Sequence, residues 1–296
     1  MDVWADIRKE MRTLEEDGVK IKLQDKEVVL KASCIMMVGD NKSQYELNGM
    51  PANFRVYETS DKKICRFCKA KSGDMHKCPH TVGERRGFSN IREEDNVTGH
   101  CVFNSLKFYE KSPHPEYFLV PDFLHDILEG VAPVGFGHVV LFMVKKKWID
   151  YNEINTRILD FPKTRSDKQD PVKTFSAYIF KPDQGNRISL AKGSCFVTFS
   201  RMFPLVFYNR IPNKLTEPYF WLAHSLIEVM RHLLRPTQTE ASINRLEISI
   251  NHYFSWHQQL EVKTGIKHHN LHHYPGTYTF KSTFLFMIKC SIIGIT

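Results

Sequence analysis

The sequence lacks the features of exported and membrane-embedded proteins. Residues 1–18 are charged throughout, so they cannot form the apolar region of a secretory signal. No apolar run reaches the length of a membrane helix, since the nearest, residues 284–296, is short and contains Lys289. We therefore expect no membrane partner and an intracellular, reducing environment.

Cysteine is scarce and scattered, with seven residues over a chain of 296. An odd and widely spaced set does not resemble a disulfide framework, and neighbouring cysteines in a reducing compartment are more often metal ligands. The sequence also shows no internal repeat, no low-complexity tract, no helix-turn-helix pattern and no classical zinc-finger spacing. These absences leave a DNA target unidentified.

What the chain does contain is enough apolar side chain for a substantial core. Hydrophobic residues make up 42% of the sequence and aromatic residues 12%, which argues against wholesale disorder. The formal net charge is +8, and the isoelectric point is near 9.0. A basic chain favours a polyanionic partner, so DNA is the partner we expect.

The front of the chain reads as a small α/β element. Residues 4–17 have helical spacing that ends at Gly18, and strand-like runs follow at 19–24 and 28–38. Residues 61–100 are polar and rich in Cys and His, as in a loop.

The rest of the chain is mainly helical in pattern. Residues 122–148 indicate a helix, 162–190 a long loop, and 191–259 three further helical segments. The fold class that this order predicts is a small α/β portion followed by a large helical portion.

The sharpest local signal is the C-x-x-C pair formed by Cys65 and Cys68. Such a turn directs two thiolates at one tetrahedral ion, and the surrounding basic residues favour the thiolate form. Zinc needs two more ligands, and a histidine-rich segment offers His268 and His273 at a normal spacing for two imidazoles. From spacing alone, that segment is equally well a solvated basic turn. The nearby alternatives are His76, Cys78, His80, His100 and Cys101.

Two further patterns contain carboxylates. Asp40 follows an apolar run, where a strand-end carboxylate could hold catalytic magnesium, although Gly-Asp-Asn is also ordinary turn chemistry. A second stretch places four polar residues at spacings of three and four, so that they would share one face of a helix that binds metal or performs acid–base chemistry. Its plainer interpretation is a capped amphipathic helix. The four residues are Asp122, His125, Asp126 and Glu129.

Taken in chain order, five stretches resemble the transposases of CACTA (En/Spm)-like DNA transposons and their domesticated relatives. They are residues 28–41, 64–70, 105–110, 121–133 and 266–275. The resemblance spans most of the chain and implies an RNase H-like fold interrupted by a helical insertion. It also implies three acidic residues that hold two Mg²⁺ ions for DNA cleavage and strand transfer.

Residue by residue, the resemblance matches Asp40 to the second Asp of that catalytic triad. It matches Cys65 and Cys68 to the C-x-x-C of the insertion. His268 and His273 match the late histidine pair that completes a structural zinc site, with His269 as the alternative to His268. The helix from Asp122 to Glu129 is a family landmark, to which we assign a packing role by default.

Departures from the family bear on activity. The chain begins close to Asp40, without the strand that carries the family's first Asp, and no Glu follows Glu261. One Asp cannot assemble two Mg²⁺ ions, so we expect an inactive remnant rather than a working DDE enzyme. The segments we expect are a partial RNase H-like region (1–60), a zinc-binding loop region (61–120), a helical insertion (121–275) and a divergent apolar tail (276–296).

Three functions therefore compete. The first is a catalytically inactive transposase remnant held together by zinc. The second is a domesticated, non-enzymatic module that binds DNA or protein, with contacts in the basic clusters at 62–71 and 85–92. The third is a hydrolase that uses the face from Asp122 to Glu129. The resemblance and the charge favour a nuclear location, otherwise a cytoplasmic one, and leave a homo-oligomer open.

Overall fold

The computed structural model describes residues 4–23, 26–34, 38–50, 61–77, 83–84, 106, 119–262 and 265–279. Within these ranges the α-helices are α1 (Ala5–Glu16), α2 (Asn41–Leu47), α3 (Ser72–Lys77), α4 (Ala132–Lys145), α5 (Tyr151–Asp160), α6 (Arg165–Gln169), α7 (Cys195–Phe207), α8 (Pro218–Leu233), α9 (Glu240–Gln259) and α10 (Ile266–Asn270). A π-helix occupies Leu124–Val131, directly before α4. The strands are β1 (Val19–Leu23), β2 (Lys26–Leu30), β3 (Phe180–Lys181) and β4 (Arg187–Ile188).

The front of the chain agrees with the predicted helix but not with the full second strand. Helix α1 ends at Glu16, and Gly18 follows with a φ of 78°, in the left-handed region that glycine adopts most readily. Strands β1 and β2 pair antiparallel, with Val19 opposite Leu30. The strand predicted over 28–38 ends at Leu30, and residues 31–34 and 38 are not in a strand.

The described strands form two separate two-stranded antiparallel sheets, β1–β2 and β3–β4. Helices account for most of the remaining described residues. An RNase H-like fold would place the strands at the front of the chain in a larger sheet. The described residues contain only these two pairs of strands, so that fold stays a prediction.

The chain divides into two compact units. The first consists of Met1–Asp74 and Thr81–Asp122, and the second of Met75–His80 and Phe123–Thr296. The segments predicted as 1–60 and 61–120 fall in the first unit, apart from residues 75–80. Most of the segment predicted as 121–275 falls in the second.

The core of the second unit is built from aromatic and aliphatic side chains of its long helices. Phe136 of α4 meets Phe199 of α7 edge to face, with ring centroids 5.2 Å apart, and Phe203 at 5.0 Å. All three rings are fully buried. Each such burial stabilises the fold by about 1.5–3 kcal/mol, so the contacts between these helices contribute much of the stability of this unit.

The π-helix and α4 make one continuous helical stretch, Leu124–Lys145, and Pro133 gives a reason for its irregular beginning. Proline has no N–H, and in a regular α-helix its ring would meet the carbonyl of residue 129. In the π-helix before Pro133, the hydrogen bonds join residues that are five apart, and the turn is therefore wider than in an α-helix.

This stretch corrects the prediction that no segment has membrane-spanning length. It is 22 residues long and its most apolar window has a mean hydropathy of 1.8, so it is long and apolar enough by composition. However, 72% of its most apolar window is buried inside the protein, as in the core helix of many soluble proteins, so its length is weak evidence for a membrane span.

The region predicted as a long loop, 162–190, contains helix α6 and the β3–β4 hairpin. The hairpin turn uses Gly185 and Asn186, both at positive φ. It packs so closely on α4 that a Cβ atom at Gly137 would lie 2.0 Å from the carbonyl oxygen of Asn186. The hairpin is therefore fixed to the helical core rather than projecting from it.

Candidate metal centre

Cys65 and Cys68 lie in a short loop, and both side chains are fully buried. The backbone N–H of Phe67 donates to the Sγ atom of Cys65 at 3.3 Å, and that of Ala70 donates to the Sγ atom of Cys68 at 3.5 Å. N–H groups directed at sulfur stabilise negative charge there, which favours the thiolate form that binds metals. The loop thus presents two adjacent sulfur donors.

Helix α2 holds this loop in place. The Tyr45 hydroxyl donates to the carbonyl oxygen of Ile64 at 2.7 Å, and Nη1 of Arg66 donates to Oδ1 of Asn41 at 2.6 Å. The guanidinium carbon also lies 4.5 Å from the centre of the Phe67 ring. Because Arg66 is only 1% exposed, these contacts replace part of the hydration that its charge loses on burial.

The two histidines that can complete the site lie on one helical segment. Helix α10 continues as a 3-10 turn, Leu271–His273, and then as a helix over 274–279. His269 and His273 are four residues apart, so their side chains project from the same side, with Nε2 atoms 3.2 Å apart. Zinc–nitrogen bonds of about 2.0–2.1 Å in a tetrahedron give a nitrogen–nitrogen distance of about 3.3 Å, which this separation matches.

The π-helix positions the segment that carries these histidines. Asp126 is fully buried and accepts a hydrogen bond from Nδ2 of Asn270 at 2.9 Å. At Gly130 the two helices approach closely, since a Cβ atom there would lie 2.6 Å from Cδ of Lys267. The landmark helix of the sequence analysis therefore acts on the histidine segment through Asp126, which the spacing of its polar residues did not indicate.

The structure brings four donors together. The Sγ atoms of Cys65 and Cys68 and the ring nitrogens of His269 and His273 all lie within 4.8 Å of one another, and all four residues are buried. Zinc–sulfur bonds of about 2.3 Å give tetrahedral edges of up to about 3.8 Å, so the widest separation must contract by about 1 Å around an ion. Two thiolates and two imidazoles are a donor set typical of zinc, and this cluster could bind such a metal.

His268, which the sequence analysis placed ahead of His269, is not in the cluster. Its ring lies parallel to that of Tyr253, with centroids 6.5 Å apart, and burial lowers its pKa to about 3. The correction follows from helical geometry: His268 is five residues before His273, whereas a spacing of four brings two side chains to the same side of a helix. The H-x3-H spacing was visible in the sequence and is the signal that identifies His269.

Asp40 has a structural task that differs both from the predicted magnesium ligand and from an ordinary turn residue. It is the N-cap of α2, and its Oδ1 atom accepts a hydrogen bond from the backbone N–H of Ser43 at 2.7 Å. A cap of this kind satisfies one of the donors that the first helical turn leaves open. The strand predicted before it is not seen in the described residues, since β2 ends at Leu30 and residues 31–34 and 38–40 are not in a strand.

The predicted common face of Asp122, His125, Asp126 and Glu129 is also wrong. Asp122 accepts a hydrogen bond from the backbone N–H of Asn41 at 3.0 Å, whereas Asp126 is buried against Asn270. His125 and Glu129 are each 38% exposed at the side chain, with Nε2 and Oε2 3.9 Å apart. Asp122 lies before the π-helix and Asp126 is buried within it, so only His125 and Glu129 stay together and the four residues form no shared acidic surface for a hydrolase.

Several predicted sites fall outside the described residues. These include the alternative zinc ligands Cys78, His80, His100 and Cys101, together with the side chain of His76. The basic cluster at 85–92 and the tail from 280 onward lie outside them as well. Within the described ranges, the Cys2His2 cluster is the one group of three or more potential metal ligands, and neither Asp40 nor the landmark carboxylates belong to it.

Comparison with known proteins identifies no relative of this chain. No family model matches the chain, and no curated protein or solved structure matches it. The chemistry of the site therefore has to be argued from its donors and their surroundings.

Proposed function

We propose that this chain is a zinc-stabilised, non-catalytic DNA-binding protein of transposase descent. The observation that carries the proposal is the buried Cys2His2 cluster, in which four protein donors lie within 4.8 Å of one another. A zinc ion with four protein ligands has no open position for water or substrate, which is the arrangement of structural rather than catalytic sites. Zinc would thus contribute to folding instead of to a reaction.

The surroundings of the carboxylates support the absence of two-metal catalysis. Two-metal phosphoryl transfer needs several carboxylates around ions about 4 Å apart. Asp40 is engaged as a helix cap and Asp126 with Asn270, and in the described part of the chain no carboxylate belongs to a group of three or more side chains that could hold a metal. We therefore expect no Mg²⁺-dependent nicking of supercoiled DNA by this chain.

Support for DNA as the partner comes from the net charge of +8 and from the resemblance to transposases. The basic cluster at 62–71 contributes less than its composition indicates. Arg66 is buried, whereas Lys69 and Lys71 pair with Glu84 and Asp61 at 3.2 and 3.0 Å. Contacts to phosphate must therefore come largely from other basic residues.

The zinc content of purified protein tests the proposal directly. We expect one tightly held zinc per chain in the wild type, and its loss in Cys65→Ser, His269→Ala and His273→Ala. Matched controls are Cys195→Ser and His268→Ala, since both residues are buried and neither belongs to the cluster. Wild-type protein without zinc, or zinc that survives His273→Ala, would contradict the assignment.

A further inference from the structure

The second unit contains a cavity of about 380 Å³ that the metal centre does not use. Its walls come from the π-helix, the β3–β4 hairpin, residues 189–193 and the first turn of α7. Leu128, Ile188 and Phe196 supply buried apolar surface. The cavity is thus a concave site whose exposed lining is mostly polar, and concave sites are where ligands are usually held.

Three of the four charged side chains that line the cavity are cationic: Lys181, Arg187 and Lys192. Lys181 and Arg187 are directly opposite each other in the β3–β4 pair, and Lys192 lies 3.5 Å from Asp170. The one lining carboxylate, Glu129, has His125 3.9 Å away. The lining therefore carries an excess of positive charge, which favours an anionic ligand.

The positions of Lys181 and Arg187 are fixed by the packing of their hairpin. The turn at Gly185 and Asn186 presses against α4 at Gly137, where a Cβ atom has no room. The backbone N–H of Ser189 also donates to the carbonyl oxygen of Ile179 at 2.8 Å. Because the backbone is held in this way, a ligand would meet the two cations without a cost for ordering the backbone.

The beginning of α7 adds to the positive field. Gly193 and Phe196 both line the cavity, and α7 has 13 residues, so the positive end of its dipole lies at this wall. The N–H of Phe196 already donates to the carbonyl oxygen of Gly193 at 2.9 Å. The helix therefore acts on a ligand mainly through its dipole rather than through this donor.

We propose that this cavity binds a phosphate group and that, in the full function of the chain, the phosphate belongs to a DNA backbone. The second part rests on the DNA binding proposed above. Arg187 offers the planar fork that fits phosphate oxygens, while Lys181 and Lys192 act as point charges. A single seated phosphate would give the chain a defined contact on the duplex without reading its sequence.

The test measures binding of a fluorescent DNA duplex by anisotropy over a series of salt concentrations. The variants are Lys181→Ala and Arg187→Ala, with Lys214→Ala and Arg235→Ala as matched controls, since neither control residue lines the cavity. Each pocket variant should weaken binding by about 5–10-fold and reduce the slope of log K against log salt by about 1, as expected for one lost phosphate contact. The controls should change affinity less than about twofold, and circular dichroism melting should show that all four variants are folded.

A second arm uses inorganic pyrophosphate in calorimetry and separates the two sources of phosphate. Pyrophosphate binding that is lost in Arg187→Ala, with duplex affinity unchanged, would retain the phosphate site and reject its DNA role. If the cavity and control variants lose duplex affinity equally and no pyrophosphate binds, the inference is overturned. DNA binding by the chain would still stand. If no duplex binds at all, the proposed function fails and the pyrophosphate arm alone decides the pocket.

Discussion

Arg66 shows how one buried charge can be used to hold a metal-binding loop. It lies between the two cysteines, where the sequence predicts an exposed basic residue, yet it is 1% exposed and donates to Asn41. Asn41, which accepts this hydrogen bond at the start of α2, also donates its backbone N–H to Asp122, the last residue of the first unit. The identity of this residue therefore matters for the shape of the loop rather than for DNA contact.

Replacing Arg66 with Met should lower the free energy of unfolding by about 2 kcal/mol, because the buried Asn41 oxygen loses a donor that Met cannot replace. Urea denaturation of zinc-loaded protein followed by circular dichroism measures this change. Arg245→Met makes the same replacement at an exposed position of α9 and should stay within about 0.5 kcal/mol of the wild type. Equal stabilities of the two variants would show that the Arg66 contacts are not needed.

Asp126 is a positioning residue for the metal centre, since it acts on His269 and His273 through Asn270. Asp126→Ala should raise the dissociation constant for zinc at least tenfold, as is typical when a group that orients ligands is lost. Competition with a chromophoric chelator measures the constant. Asp126→Asn keeps an acceptor oxygen for Asn270 and should bind zinc nearly as tightly as the wild type. If Asp126 had only a structural role, its variants would lose stability without this difference in zinc affinity between Ala and Asn.

At the scale of elements, the sequence predicted what depends on local periodicity and missed what depends on distant partners. The three helical segments predicted within 191–259 agree with α7, α8 and α9, since each shows apolar residues at helical spacing. The strand over 28–38 was predicted too long, because a continuous apolar run does not distinguish a strand from other buried structure.

The misses in the candidate site have the same origin. The spacing identified Cys65 and Cys68, and the cluster contains both. It did not separate His268 from His269, since that choice needs the helical path of α10. It also did not show that Asp126 is buried, because its spacing was interpreted as a regular α-helix whereas residues 124–131 form a π-helix. The α/β remnant of an RNase H-like fold stays untested by the short sheets that are described.

The close approach of the β3–β4 hairpin to α4 predicts a large cost for one methyl group. Gly137→Ala should lower the free energy of unfolding by more than about 2 kcal/mol, because the new Cβ would lie 2.0 Å from a backbone oxygen that cannot rotate away. This loss outweighs the gain of about 1 kcal/mol that Ala normally gives over Gly within a helix. Gly265→Ala is the control, since a Cβ there meets nothing within 4 Å, and urea denaturation compares the two.

Helix α6 makes stability depend on pH through Asp167. Burial raises the pKa of this carboxyl, but hydrogen bonds from Thr164 and the charge of Arg201 outweigh burial and hold it below its usual value of 3.8. A depressed pKa in the folded state contributes stability that is present above pH 3.8 and is lost as the pH falls through the lower folded value.

Asp167→Asn should therefore reduce stability at pH 6 and narrow the difference in stability between pH 6 and pH 3. Urea denaturation at the two pH values provides the measurement. Asp160→Asn, at an exposed position at the end of α5, should leave that difference unchanged. If both variants reduce the difference in stability between pH 6 and pH 3 equally, Asp167 is not the source of the pH dependence.

At the scale of the whole molecule, the proposed zinc site joins residues that are about 200 positions apart in the sequence. Metal binding to ligands of this kind is coupled to folding, because the unfolded chain has no preformed site. We expect removal of zinc by a chelator to lower amide protection from hydrogen exchange in peptides that cover 64–70 and 266–279 together. Peptides within α7 should change little, since its partners are apolar core residues.

Hydrogen-exchange mass spectrometry of zinc-loaded and chelated protein provides that comparison. The variant His273→Ala should behave like chelated protein at both segments even with zinc present. Loss of protection at only one of the two segments would contradict a single shared ion. Equal amide protection in the presence and absence of zinc would show that the four side chains come together without a metal ion.

The π-helix has a consequence for how relatives of this chain would be aligned. A turn closed by hydrogen bonds over five residues holds more chain than an α-helical turn, so a relative with a regular helix would need a gap within 124–131. Without that gap, every residue after it would be compared with a position pointing in another direction. A motif search that treats Asp122, Asp126 and Glu129 as one α-helical stripe would therefore group residues that have different tasks in this protein.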